Sequence, residues 1–454
     1  MWEILERINS FIWGVPALFL ILETGIYLTI RTKFAQIYLF PSALRRFRLE
    51  IFSGKKNGSS VSSMRALCTA LSATVGTGNL AGVAGAISIG GPGSIFWMWI
   101  SALLGMVTKF AEAVLSVRYR TKGSNGEFLC GPMYMIQSGM GTKWRWMAIL
   151  YAFFGAVAAF GVGNATQVNA VVGGINGVIQ SLGGTPGIKC NMIIGLSLTI
   201  LIGTILLGGT KRIGQVAEKL VPLGSIVYIL LAFYVLLVRY HAIPAAFCSI
   251  FECAFSPKAI TGGVIGSAAQ ALAVGTRRGV FTNEAGMGTA AIAHGAAGVG
   301  HPIEQGVMGI IEVFLDTIVI CTLTALVILC SGVTIPYGQD TGIMLTAQAF
   351  GRVCGNWVNI VLAAILSCFA IATILGWGLY GMRCVQYLFG EKAWRIFAWL
   401  QTATIFLGSV LNTATVWIMA EIVNGLMALP NLIALLYLSP ELIRLLQDYK
   451  AKIS

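Results

Sequence analysis

Two stretches of this 454-residue chain combine glycines with small oxygen-bearing side chains inside apolar sequence. They are Thr74-Val-Gly-Thr-Gly-Asn-Leu-Ala-Gly82 and Gly275-Thr-Arg-Arg-Gly-Val-Phe-Thr-Asn-Glu-Ala-Gly-Met-Gly288. A membrane helix interrupted at such a place exposes amide N–H groups where its second half begins and carbonyls where its first half ends. The N–H end attracts a carboxylate, and the carbonyl end attracts a small hard cation. Gly76 and Gly78 let the backbone unwind and approach a ligand, while Thr77 adds a hydroxyl and Asn79 an amide carbonyl. A small zwitterion and a cation can thus be held without any charged side chain. Covalent chemistry lacks comparable support. His241, His294 and His301 lie in no H-E-x-x-H pattern, the ten cysteines form no C-x-x-C pair, and no activated nucleophile marks a pocket. An enzyme is therefore not expected, and the cysteines read as small apolar residues of membrane helices, without disulfides.

The elements that must position these stretches are membrane spans. Only 10% of the residues are charged and 57% are hydrophobic, with a mean hydropathy of +0.82. That composition excludes a water-soluble domain and defines an all-α polytopic membrane protein lodged in a lipid bilayer. Apolar runs predict eleven spans, at about residues 12–31, 66–89, 94–117, 147–180, 190–208, 216–238, 262–296, 305–330, 356–380, 394–412 and 415–438. The net charge of +13 would suit nucleic acid only if the basic residues clustered on a soluble face. Instead 22 of the 30 Lys and Arg fall in the loops of one side, five on the other, and three (Lys109, Arg277, Arg278) within spans. The positive-inside rule then puts the N-terminus outside and the C-terminus in the cytoplasm. Glu3, Glu6 and a single Arg7 precede the first span and no small-residue cleavage site follows it, so it reads as a retained helix.

Beyond that extra N-terminal helix, ten spans fall into two groups of five, and an odd number reverses the second group into an inverted repeat. The organisation expected is an N-terminal helix and cytoplasmic loop (1–65), a first repeat (66–238), an extracellular connector (239–261), a second repeat (262–438) and a cytoplasmic tail (439–454). One glycine cluster in a membrane helix is ordinarily a packing face. Two clusters, each in the first span of its half, point to a binding site.

The motifs also resemble known proteins. Val75-Gly-Thr-Gly-Asn79 and Phe281-Thr282 resemble the broken helices of leucine-transporter-like sodium symporters. Ser53-Gly-Lys-Lys56, Thr69-Ala-Leu, Ala81-Gly-Val83, Gly90-Gly-Pro-Gly93, Phe96-Trp-Met-Trp99, Thr108-Lys-Phe-Ala-Glu112, Gly131-Pro-Met-Tyr134, Asn283-Glu-Ala-Gly-Met-Gly288, Asp316-Thr317 and Gly376-Trp377 are similar, in order, to the alanine or glycine:cation symporter family. The resemblance implies a secondary symporter that imports alanine, glycine or a similar small amino acid, with sodium as the coupling ion. Carried onto this chain, it implies that Thr77 and Gly78 donate to the substrate carboxylate, and that Asn79 and Gln167 serve the amino group or an ion. Phe281, Thr373 and Trp377 would line the pocket, the two aromatics limiting side-chain size. One sodium would sit among the carbonyls of Ser72 and Val75 and the Thr373 hydroxyl, and a second would meet Thr74, Asn79 and Thr282. The chain departs from the family pattern at Thr282, Cys130, Met64-Arg65 and Leu379-Tyr-Gly-Met382, the last of which bears on coupling or gating.

Intramembrane charges are functional suspects in their own right. Lys109 and Glu112, three apart, are expected to snorkel or to form a structural pair. Arg277, Arg278 and Glu284 flank the second break, where gating, charge neutralisation and a structural role are the readings open to them. Glu312 and Asp316 form a candidate proton-coupling pair, the alternative to sodium; a passive channel or a non-transporting amino-acid sensor is the competing class. His294 and His301 suit surface or helix-end roles near a cytoplasmic loop. Asn57-Gly-Ser59 is a nominal glycosylation sequon on the cytoplasmic side, where it carries no meaning. Residues 34–48 mix aromatics with a basic end and suit an interfacial helix facing anionic lipid. Short tails suggest a bacterial inner membrane, and nothing in the sequence sets an oligomeric state.

Overall fold

The structure, a computed structural model, describes residues 2–453 except 14, 53–60, 125, 256–258, 262–263, 267, 340–341 and 411–412. Lys55, Lys56, Lys258, the motif at 53–56, the Asn57 sequon and the end of the span expected at 394–412 lie outside the described residues. The chain is almost entirely helical, with two short hairpins pairing Thr121–Lys122 with Phe128–Leu129 and Ala259–Thr261 with Val264–Gly266.

Among the described residues seven helices are long and apolar enough to cross a bilayer: Ile4–Arg31, Gly93–Tyr119, Thr142–Ser181, Ile188–Leu206, Gly209–Val238, Pro302–Cys330 and Val358–Phe389. Two bent pairs raise the number to nine: Ser63–Thr74 with Gly78–Gly90, turned by 51°, and Glu421–Tyr437 with Ser439–Lys452, turned by 55°. The second bend falls just ahead of Pro440, whose ring cannot continue the hydrogen-bond ladder. Two expected spans are shorter here. The 262–296 stretch is built from Ala268–Asn283 and Thr289–His294, and Trp394–Gly408 stands at 394–412.

The Gly93–Tyr119 helix is buried along most of its length and organises the centre. Small residues bring its neighbours in close: a Cβ on Gly275 would stand 2.2 Å from the Ser94 carbonyl oxygen, and one on Gly309 would stand 3.0 Å from that of Lys109. The connector expected at 239–261 holds a helix of its own, Ile243–Phe255. Its Phe251 and Phe255 pack edge-on against Phe96, with centroids 5.7 and 4.9 Å apart. The basic segment after the first span forms Ala35–Tyr38 and Phe40–Phe52. Leu44, Leu49, Ile51 and Phe52 are exposed on the second of these, and Arg46 reaches Glu304 at 3.3 Å.

Candidate functional site

The Ser63–Thr74 helix starts from Ser62, whose hydroxyl accepts from the Arg65 amide at 3.1 Å. It ends at Val75, which turns extended at φ −76° and ψ 95°, and a π-helical turn, Gly78–Gly82, restarts the chain. The Gly76 amide donates to Asn79 Oδ1 at 2.8 Å. Asn79 Nδ2 donates to Asp316 Oδ1 at 2.7 Å and lies 3.4 Å from Cys321 Sγ. The Thr77 hydroxyl donates to Gln167 Oε1 at 3.2 Å, and Gln167 Nε2 donates to the Val162 carbonyl at 3.1 Å. Among the described residues no side chain accepts from the amides of Thr77 or Gly78.

The Val358–Phe389 helix closes against this break. A Cβ on Gly76 would stand 2.7 Å from Thr373 Oγ1, and one on Gly376 would stand 2.6 Å from Ser72 Oγ. From the second broken helix comes Thr282, whose Oγ1 and Cγ2 would each lie 3.7 Å from a Cβ on Gly78. Ser72, Thr74, Val75, Thr77, Gly78, Asn79, Gln167, Thr282 and Thr373 therefore gather around one interruption. Four of their hydroxyls donate into their own helices: Ser72 to Thr69 at 2.7 Å, Thr74 to Ala70 at 3.4 Å, Thr282 to Arg278 at 2.6 Å and Thr373 to Phe369 at 3.0 Å. With its proton so directed, each oxygen keeps lone pairs for a cation, a donor set that fits sodium. A cavity of about 650 Å³, lined by Leu80, Gly174, Thr346, Arg352 and Asn359 among others, reaches down to the π-helical turn.

At the second interruption Glu284, Gly286 and Gly288 all take positive φ, 54°, 90° and 80°, between Ala268–Asn283 and Thr289–His294. The amides exposed there are occupied. Glu112 Oε1 accepts from the Gly286 and Gly288 amides, both at 3.0 Å, and from Asn431 Nδ2 at 2.7 Å. The expected Lys109–Glu112 pair is thus replaced, and neither residue snorkels, both being fully buried. Lys109 Nζ lies 2.7 Å from Glu312 Oε1, whose other oxygen meets His294 Nε2 at 2.9 Å. His294 is no surface residue: Gln305 Nε2 holds its Nδ1 at 2.7 Å. His301 caps the Pro302–Val313 helix, accepting from the Ile303 amide. Arg277 pairs with Glu421 at 2.5 Å.

The two breaks are joined through Asp316. Its Oδ2 accepts from the Thr317 hydroxyl at 2.8 Å, Asn283 Nδ2 donates to that hydroxyl oxygen at 3.2 Å, and Asn283 Oδ1 accepts from the Ala285 amide at 3.0 Å. Trp377, fully buried, sends its indole N–H to Glu284 Oε1 at 3.0 Å, so it reaches the second break while Thr373, one turn earlier, faces the first. Phe281 is half-buried against the core beside Thr282. Sequence reasoning singled out Asp316 and Glu284 as intramembrane charges but found neither partner, because both partners come from distant elements.

The profile of the sodium:alanine symporter family matches residues 1–454. The chain belongs to the sodium:alanine symporter family. It is accordingly a multi-pass membrane transporter and not an enzyme. A sodium/alanine symporter, AgcS, of Methanococcus maripaludis is 42% identical over 441 residues, covering 96% of this chain and 94% of that one. A probable sodium/glutamine symporter, GlnT, of Bacillus subtilis is 36% identical over 455 residues, covering 99% and 91%. In fold the family member is similar to MhsT, solved in complex with L-phenylalanine, with a TM-score of 0.60 at 14% identity over 84% of this chain and 89% of that one. The likeness places the helices in a leucine-transporter-like arrangement.

Proposed function

We propose that this transporter imports small neutral amino acids, alanine and glycine, together with sodium by alternating access. The observation that carries the reading is the chemistry of the first break. The Thr77 and Gly78 amides meet no side-chain acceptor among the described residues, and the hydroxyls of Ser72, Thr282 and Thr373, which donate into their own helices, lie on the segments packed at Gly76, Gly78 and Gly376. A substrate carboxylate suits those amides, with Asn79 and Gln167 near the amino group. Sodium suits Ser72, Val75 and Thr373, and a second ion suits Thr74, Asn79 and Thr282. Phe281 and Trp377 limit side-chain size. Around this site the chain has eleven spans, an N-terminal helix (1–65) before five-helix repeats at 66–238 and 262–438, with 239–261 outside and 439–454 inside. The 22-to-5 distribution of basic residues supports an N-terminus outside and a cytoplasmic C-terminus, and membership beside bacterial relatives supports an inner membrane.

Proton coupling is the second reading, favoured by Asp316, a buried carboxylate on Asn79 with only neutral donors bonded to it among the described residues. The test is uptake of labelled alanine into proteoliposomes under an inward sodium gradient or an inward proton gradient. Accumulation above equilibrium with sodium alone supports the sodium symporter; accumulation with protons alone transfers the coupling role to Asp316. Binding without accumulation in either arm would make the protein a sensor.

A further inference from the structure

We propose that Glu284 sets the upper size limit on substrates by holding the Trp377 ring in place, an inference that rests on the pocket role assigned above to Trp377. The indole has one N–H, and it is committed to Glu284 Oε1 at 3.0 Å. Glu284 is a non-glycine residue at φ 54°, a conformation that L-residues adopt only where their surroundings impose it. The break therefore fixes the backbone from which the carboxylate reaches the ring.

The other side of the ring is backed by main chain. A Cβ on Gly163 would stand 2.2 Å from Trp377 Cβ and 2.5 Å from its Cγ, so the Gly161–Ala165 turn lies directly on the side chain. Tyr380 meets the ring edge-on at a centroid distance of 5.8 Å. Held by a hydrogen bond at one edge and by backbone at its base, the indole cannot swing without losing one of them. Thr373 lies one helical turn before Trp377 and against Gly76, so the held ring stands at a set distance from the first break. Among the described residues no hydrogen bond joins Glu284 to a residue assigned to the carboxylate or the ions; it acts through Trp377 and is a positioning residue.

The test measures competition of unlabelled glycine, alanine and leucine against labelled alanine in proteoliposomes at saturating sodium, alongside the sodium concentration for half-maximal uptake. Glu284→Ala is expected to raise the affinity for leucine relative to alanine by about tenfold, the scale of one hydrogen bond to a charged group, without changing the sodium requirement. Glu284→Gln keeps an acceptor oxygen and is expected to keep the ratio. Trp377→Phe keeps a ring but lacks the donor, so it should reproduce the shift, and adding Glu284→Ala to it should shift the ratio no further. Gly163→Ala, which presses on the ring from its other side, should also move the ratio. Equal loss of all three substrates in Glu284→Ala, or an undiminished effect of that change in the Trp377→Phe background, would overturn the proposal. If Glu284→Ala does not fold, an unchanged ratio in Trp377→Phe has the same force. Trp377→Ala separates the two claims: no change in size preference removes the pocket reading itself, whereas a change there with none in Trp377→Phe removes only the role of Glu284.

Discussion

At the first break the amides of Thr77 and Gly78 are left without side-chain acceptors among the described residues, and the hydroxyls of Thr282 and Thr373 beside it send their protons into their own helices. At the second break the equivalent donors, on Gly286 and Gly288, already grip Glu112, and a buried set of Lys109, Glu312 and His294 lies close by. Both interruptions create the same backbone capacity. What differs is whether the protein supplies its own carboxylate: at the second break the capacity serves the scaffold, and at the first it is left for the ligand proposed above. The second break shows that a glycine-broken helix does not by itself leave amides open to a ligand.

The contrast is sharpest where charge is buried. Glu312→Gln leaves the Lys109 ammonium without its counter-charge, and the expected loss is about 3–5 kcal/mol of stability, read by unfolding in detergent. Replacing Lys109 and Glu312 together by Met and Leu should recover most of it. A Glu312→Gln protein as stable as the parent would remove the scaffold role of the second region. At the first break, Asn79→Ala cuts the links to Gly76 and Asp316, and sodium-driven uptake should fall about 100-fold in kcat/KM. Unchanged uptake would empty the site assignment there.

Smaller effects discriminate more finely. Glu112→Gln keeps the shape but loses the charge that the Gly286 and Gly288 amides bind, and about 2 kcal/mol of stability should go with it while the sodium requirement stays the same. A shifted sodium requirement with unchanged melting would erase the distinction between the breaks. Thr373→Val removes one hydroxyl from the first break at nearly constant volume. The half-saturating sodium concentration should then rise about tenfold, with stability held within about 1 kcal/mol; the reverse pattern would make Thr373 a packing residue.

Both breaks were legible because each joins several glycines to Thr or Asn within an apolar run, and the interruptions do fall at 74–78 and 283–289. The long helices followed from apolar length alone. Ile243–Phe255 was hidden in a connector because its 13 residues are too few to cross a bilayer. The partners inside the site were hidden for another reason. Asn79 and Asp316 are 237 residues apart, and no local period joins them. Helical spacing suggested Lys109 with Glu112, yet the amides of the second break need an acceptor, and Glu112 supplies it. His294 reads as a surface or helix-end residue because it precedes a loop; it does end the Thr289–His294 helix, but the Pro302–Val313 helix folds back and buries it behind Gln305 and Glu312.

The turn of Val358–Phe389 that carries Thr373, Gly376 and Trp377 touches Gly76 and Ser72 of one break and Glu284 of the other. Three helices joined in this way form a closed loop of constraints, and such a loop has fewer independent motions than it has members. Neither interrupted helix can tilt away from that turn while the other stays unless the fit at Gly76 or the indole–carboxylate bond gives way. The choice between moving as a trio and releasing one partner is therefore made at a handful of atoms, near the middle of the molecule, well away from the loops that join the helices.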